Sequence, residues 1–276
     1  MVWERFHHIC RRSLAPLRPG ESLAGRIRAV EADPDTAFYG ARLKPGTLPR
    51  RILDRIAADP NQDRACRLLE FYASLNLDRE TTHALKLKRV AIYLAWVSVL
   101  FLVIYGIYQV LVMQGFIPLP ETFQIQIPSP VALFRQYVWP FAITVVVLLG
   151  LALVMGHALR RLVDWSSSHG RIGLTRFLAF PGARAAYADL ETAVLFPLGP
   201  DVVEGTSKIA SHLWKLEEEG NEIRDEVAAL VRCRHRTLIE RCEKQMCVVY
   251  TFCILLIVLT IALFVAGGYV PATMLP

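Results

Sequence analysis

The sequence predicts an all-α membrane protein, with three transmembrane helices and two small cytoplasmic helical-bundle domains. Three observations predict it. First, Val90 to Pro120, Gln136 to Leu159 and Gln245 to the C-terminus carry no Asp, Glu, Lys or Arg. Their most apolar cores, residues 90–113, 137–159 and 247–270, each extend about 35 Å as helix, enough to cross a hydrocarbon layer of about 30 Å. Second, of 31 Lys and Arg, 17 lie in residues 1–89, 13 in residues 160–246, and one, Arg135, in residues 114–136. Cytoplasmic segments carry the excess of basic residues, so the two rich segments are expected inside and the poor loop outside. Third, both basic-rich segments repeat apolar residues at helical spacing.

Taken in order, residues 1–89 read as a helical cytoplasmic domain. Met1–Arg12 is interrupted by Glu4, Arg5, His7 and His8, so no cleavable leader is expected there. Arg18-Pro19-Gly20 breaks the chain, and Glu21-Ser22 opens a helix through Leu23, Ile27 and Val30. Asp33-Pro34-Asp35 stops that helix and Lys44-Pro45-Gly46 marks a further turn. Arg51–Ala58 is a short amphipathic helix, ended by Asp59-Pro60. A longer helix starts at Gln62, with Cys66, Leu69, Tyr72 and Ala73 on one face, and is expected to run unbroken to Met113. Residues 90–113 are the first span, entered past Arg89. The loop 114–136, with Pro118, Pro120, Pro128 and Pro130, is expected to be an extended outer connection. Residues 137–159 are the second span, stopped by Arg160 and Arg161. Residues 160–246 form the second cytoplasmic domain, looser to about Pro200 and helical from about 203. Trp165 to His169 is expected to be interfacial anchor and loop. Ile209, Leu213 and Leu216 share a face before Gly220; Ile223, Val227, Leu230 and Val231 share one after it, on a helix that continues into the third span, 247–270. Residues 271–276 are an outer tail.

The polar residues exclude several classes. Ionisable side chains inside a span mark ion and proton pathways; the three cores hold no Asp, Glu, Lys or Arg, and His157 lies near the cytoplasmic end of the second span. Ser98, Thr144, Thr251 and Thr260 are expected to bond backbone or a neighbouring helix. There is no phosphate-cradling glycine loop, and Gly170-Arg171-Ile172-Gly173 reads as a turn. The six cysteines follow no metal or redox spacing; Cys233 and His235 point about 200° apart on a helix and cannot share a metal. No basic stripe with interleaved aromatics points to nucleic acid. The expectation is a non-enzyme with no catalytic, cofactor-binding or metal-binding residues. Glu217-Glu218-Glu219-Gly220 is the densest acidic string, read either as a solvated helix end or as a contact surface for a basic partner.

The order of parts resembles the type II secretion F family, the inner-membrane platform protein of type II secretion and type IV pilus machines. Gly20-Glu21-Ser22-Leu23 is similar to the family's G-x-S-L turn and helix start. Ala91-Ile92-Tyr93 resembles the family's entry to the first span, and Leu119-Pro120-Glu121-Thr122 its outer-loop string. Glu218-Glu219-Gly220 is similar to its G-E-x-S-G turn, and Tyr269-Val270-Pro271 to the end of its last span. The chain departs from the family in having Leu94 and Thr251 where prolines are expected, and in a shortened N-terminal segment. The resemblance implies a multi-pass scaffold of the bacterial cytoplasmic (inner) membrane, N-terminus inside and C-terminus in the periplasm. It implies a secretion ATPase, other inner-membrane components and pilin-like subunits as partners, besides the lipid bilayer. It makes Gly20, Glu21, Ser22 and Leu23, and Glu217, Glu218, Glu219 and Gly220, candidate partner-contact turns, with Arg89, Arg160 and Arg161 as topology anchors. The sequence leaves the oligomeric state open, a homo-oligomer included. A membrane-anchored sensor or regulatory subunit is the alternative reading, and a transporter subunit a more remote one.

Overall fold

The computed structural model describes residues 2–16, 20–75, 85–108, 110, 129–163, 177–200, 207–220 and 222–273. Among them all regular structure is helical. Nine α-helices follow in order: α1 Val2–Ser13, α2 Leu23–Ala32, α3 Leu48–Ala57, α4 Gln62–Ser74, α5 Leu85–Ile107, α6 Ser129–Val163, α7 Pro181–Leu195, α8 Lys208–Glu218 and α9 Ile223–Thr273. Two 3-10 turns, Pro34–Tyr39 and Phe196–Leu198, lie between α2 and α3 and after α7. The chain divides into two compact units: residues 1–85 with 158–242, and residues 86–157 with 243–276.

The first unit draws on both polar segments, which the sequence suggests as two domains. Its N-terminal helix has no counterpart among the sequence expectations. Trp3, Phe6, Ile9, Cys10 and Ser13 recur at helical spacing and are all buried on one side of α1. That face packs on α2, α3, α4 and the first 3-10 turn. Ser22 caps α2, its hydroxyl accepting from the Gly25 N–H at 3.1 Å, and Leu23, Ile27 and Val30 are buried as the spacing requires. Helix α3 starts three residues earlier than the pattern suggests, because Pro49 occupies its first turn, where a missing N–H is harmless. On α4 the buried positions are Ala65, Leu68, Leu69 and Tyr72; Cys66 and Ala73 sit at its margin.

Among the described residues, polar contacts that join the two segments of this unit gather toward the end of α7. The last carbonyls of a helix lack intrahelical donors, and Pro197 removes one more N–H just beyond. The Tyr72 hydroxyl donates to the Val194 carbonyl at 2.7 Å, and Arg64 Nη2 donates to the Leu198 carbonyl at 3.1 Å. Arg51 pairs with the buried Glu191 at 3.3 Å. Side chains of α4 thus meet carbonyls at the end of α7 and in the 3-10 turn after it, and Arg51 of α3 neutralises Glu191 one turn earlier. On the other side of α7, Arg241 Nη1 donates to the Gly182 carbonyl at 2.6 Å and Arg234 lies 3.5 Å from Asp189. His235 Nε2 lies 3.3 Å from the Val163 carbonyl.

The second unit holds the apolar parts of α5, α6 and α9. Three helices are long and apolar enough to cross a membrane: Arg89–Ile107, Pro140–Val163 and Ile223–Val265. Leu94 and Phe101 of α5, Val145, Leu149 and Ala152 of α6, and Cys253 and Ile257 of α9 form one buried cluster. The side chains on the other faces, among them Trp96, Val147 and Leu255, are exposed, as lipid-facing residues are. Ser98 donates to the Leu94 carbonyl, Thr144 to that of Pro140 and Thr260 to that of Leu256, at 2.7 to 2.8 Å. Each hydroxyl returns to its own helix four residues back, as expected. Gly156 is close-packed: a Cβ there would lie 3.2 Å from the Met246 methyl.

Two expectations need correction. The run from Gln62 to Met113 is not one helix: α4 ends at Ser74, and Leu75 takes extended angles (φ −72°, ψ 111°) with its side chain buried. A helical turn at Leu75 would withdraw that side chain from the core. The loop 114–136 is also not extended throughout, because α6 already begins at Ser129. Pro130 in its first turn marks a helix start and not a loop. Pro140 lies inside α6, so the carbonyl four residues before it has no i+4 donor. Leu119 to Thr122, Trp165 to His169 and Gly170 to Gly173 lie outside the described residues.

Candidate partner-contact surfaces

Two turns carry the candidate contact residues, both in the first unit. At the first, Gly20 has φ +82°, a left-handed conformation that a side chain disfavours. Glu21 lies 3.2 Å from Arg26, and Arg26 Nη2 donates to the Pro16 carbonyl at 2.6 Å. Ser22 is occupied as the helix cap and Leu23 is buried. The geometry therefore gives Ser22 and Leu23 structural work and leaves Gly20 and Glu21 at the surface.

The second turn joins α8 to α9. Gly220 has φ +75°, and its N–H donates to the Glu217 carbonyl at 3.1 Å. Nothing stands within 4 Å of the position a Cβ would take, so the turn needs glycine for its angle and not for space. Glu217, Glu218 and Glu219 are all exposed. They sit at the C-terminal end of α8, where the helix dipole presents partial negative charge. Acidic side chains there are locally unfavourable, by about 0.3–1 kcal/mol each at low salt. Asp225 and Glu226, in the first turn of α9, have the favourable placement. The two acidic groups, one against the local field and one with it, lie on either side of Gly220 in the chain. Helix-end electrostatics accounts for the second group and not for the first.

Arg160 and Arg161 lie exposed in the last turn of α6, matching its dipole, and Arg89 lies exposed near the start of the first apolar helix. Sequence reasoning missed the buried polar cluster of α1. Arg5 donates from Nη1 to the Gly40 carbonyl (3.0 Å) and from Nη2 to the Glu31 carbonyl (3.1 Å). The Glu31 carboxylate meets Arg50, which also holds Asp54 at 2.9 Å. His8 stacks on Tyr39 with centroids 3.7 Å apart, and burial together with Arg12 and Arg11 pushes its pKa down. Burial pushes the Cys10 thiol and the Tyr72 and Tyr187 hydroxyls up, so all three stay protonated. The signal for the α1 cluster was the spacing of Trp3, Phe6 and Ile9, which its charged neighbours hide. Among the described residues no group of three or more His, Cys, Asp or Glu could hold a metal ion.

No family model matches the chain, and neither the curated proteins nor the solved structures contain a significant match to it.

Proposed function

We propose that the chain is a non-enzymatic, multi-pass membrane scaffold, with both polar segments in the cytoplasm and the C-terminus outside. The observation that carries this reading is α9, a helix of 51 residues from Ile223 to Thr273. Its first half is packed through Val227, Val231, His235 and Leu238, and its second half is an apolar span. A helix without a break transmits a displacement along its axis, where a loop would absorb it. The orientation rests on the asymmetry of Lys and Arg between the segments. The exposed glutamates before Gly220 supply the surface for a basic partner.

In its specific form, the scaffold is an inner-membrane platform of a type II secretion or type IV pilus-like machine. It would couple a cytoplasmic ATPase to the assembly of pilin-like subunits. That form is supported by the order of elements and by the short strings at Gly20–Leu23 and Glu218–Gly220. Affinity purification from detergent-solubilised membranes, after in-cell crosslinking, tests it. The expected result is recovery of a hexameric ATPase and pilin-like subunits, reduced when Glu217, Glu218 and Glu219 are changed to Gln. Recovery of neither, where a known platform protein retrieves both, sinks the secretion reading. Recovery of a soluble signalling partner instead would favour a sensor or regulatory subunit.

A further inference from the structure

Phe38 is 86% exposed on the first 3-10 turn, and the turn is built to keep it there. Thr36 is fully buried and donates to the Val30 carbonyl at 2.7 Å, while the Asp33 carboxylate accepts from the Asp35 N–H at 3.1 Å. On the far side the buried guanidinium of Arg5 holds the Gly40 carbonyl. Both ends of the turn are thus fixed from inside, with the Phe38 ring left outside. Tyr39 beside it is 39% exposed, one face stacked on His8. The charges around the pair are mostly basic. Arg11 and Arg12 both act on His8, and Arg42 and Lys44 are exposed a few residues along the chain. Asp33 and Asp35 oppose them, with Asp33 held in an ion pair by Arg12.

We propose that Phe38 and Tyr39, flanked by Arg11, Arg42 and Lys44, form an attachment to the headgroup region of an anionic lipid leaflet. Aromatic rings favour that depth, and cationic side chains beside them are drawn to anionic headgroups. The inference rests on the reading of the chain as a membrane protein. Three apolar helices in the same polypeptide keep this turn at high effective concentration near lipid, so a single aromatic pair with a few cations suffices where a soluble protein would need more. A lipid surface is the occupant that an exposed aromatic beside several exposed cations fits best.

The test uses the full chain in nanodiscs. The accessible thiols are removed (C66S, C233S and C247A) and an environment-sensitive fluorophore is placed at Ala37→Cys, which leaves Phe38 intact. Nitroxide-labelled lipid is the quencher. In discs with about a third phosphatidylglycerol the label is expected to be quenched, more than in neutral discs and less at high salt. Phe38→Ser, or R42Q with K44Q, is expected to lower that quenching by half or more, with helix content and thermal unfolding unchanged. An unquenched label at 37, with a label at Tyr93→Cys quenched in the same discs, overturns the attachment and leaves the membrane reading standing. Failure of the chain to enter discs overturns both. Quenching equal in neutral and anionic discs overturns the anionic-lipid assignment. A signal at 37 that follows protein concentration in detergent shows a second copy on this turn, and also overturns it.

Discussion

Tyr72 shows how one atom decides the fate of a whole contact. Its hydroxyl reaches the Val194 carbonyl inside the core, at a helix end where Pro197 has removed a donor. Tyr72→Phe leaves that carbonyl buried without its partner, and is expected to destabilise by about 1–3 kcal/mol in denaturant titrations of the detergent-solubilised chain. Gly220 and Gly199, two of the glycines with positive φ, separate angle from space. Gly220→Ala should cost about 1 kcal/mol, from backbone strain alone. Gly199, at φ +106°, should suffer more, because a Cβ there would lie 2.9 Å from Nη2 of Arg64 and push it off the Leu198 carbonyl. Thermal unfolding of both variants checks the order. His8 supplies a pH dependence. Its pKa is lowered in the folded state, so the unfolded chain binds its proton first as pH falls. The contribution of neutral His8 is full above the ordinary histidine value of 6.5 and is lost progressively below it. His8→Gln should flatten the stability profile over that window, and an unchanged profile would show that His8 is not its source. The thiols divide in the same way: Cys10 and Cys242 are buried and should resist maleimide in the native state, whereas Cys233 is exposed and should label.

At the scale of elements, α9 makes the strongest prediction. Lys244→Pro removes a backbone donor in the middle of a continuous helix and costs about 3 kcal/mol or more. Lys244 is exposed, so no packing is lost with its side chain. Partner recovery should fall in this variant while the protein still fractionates with membranes; recovery at the wild-type level would remove α9 as a transmitting element. The spans were legible because a charge-free apolar stretch longer than about 20 residues is rare outside a bilayer. The Ser22 cap and the Gly220 turn were legible for a local reason as well, since capping and left-handed angles select residue types directly. What was not legible depended on tertiary contacts. The end of α4 at Ser74 has only a weak local mark, the Ser74 hydroxyl bonding the Phe71 carbonyl, and Leu75 is buried in extended conformation just beyond it. Pro130 was ambiguous because proline is equally at home in a loop and in the first turn of a helix. The exposure of Phe38 was invisible, since an aromatic after a turn usually marks a core contact.

At the scale of the molecule, reporters fused after Gly199 and after Pro276 test the proposed orientation, with the first expected inside and the second outside. The first unit shows why the chain cannot be cut at the membrane. Residues 1–85 and 158–242 form one compact unit, and the end of α7 and the turn after it are met by side chains from α4. This has a consequence for synthesis. When Tyr72 leaves the ribosome, its acceptor at Val194 lies more than a hundred residues in the future. At translation speeds of about 5–20 residues per second the delay is on the order of ten seconds, far longer than helices need to form. Throughout it the Tyr72 hydroxyl must wait without its acceptor, on a helix already packed against α1, while two spans are threaded into the bilayer. The N-terminal helices can therefore pack on one another early, and the contact that joins them to α7 is completed only once its distant complement has been made.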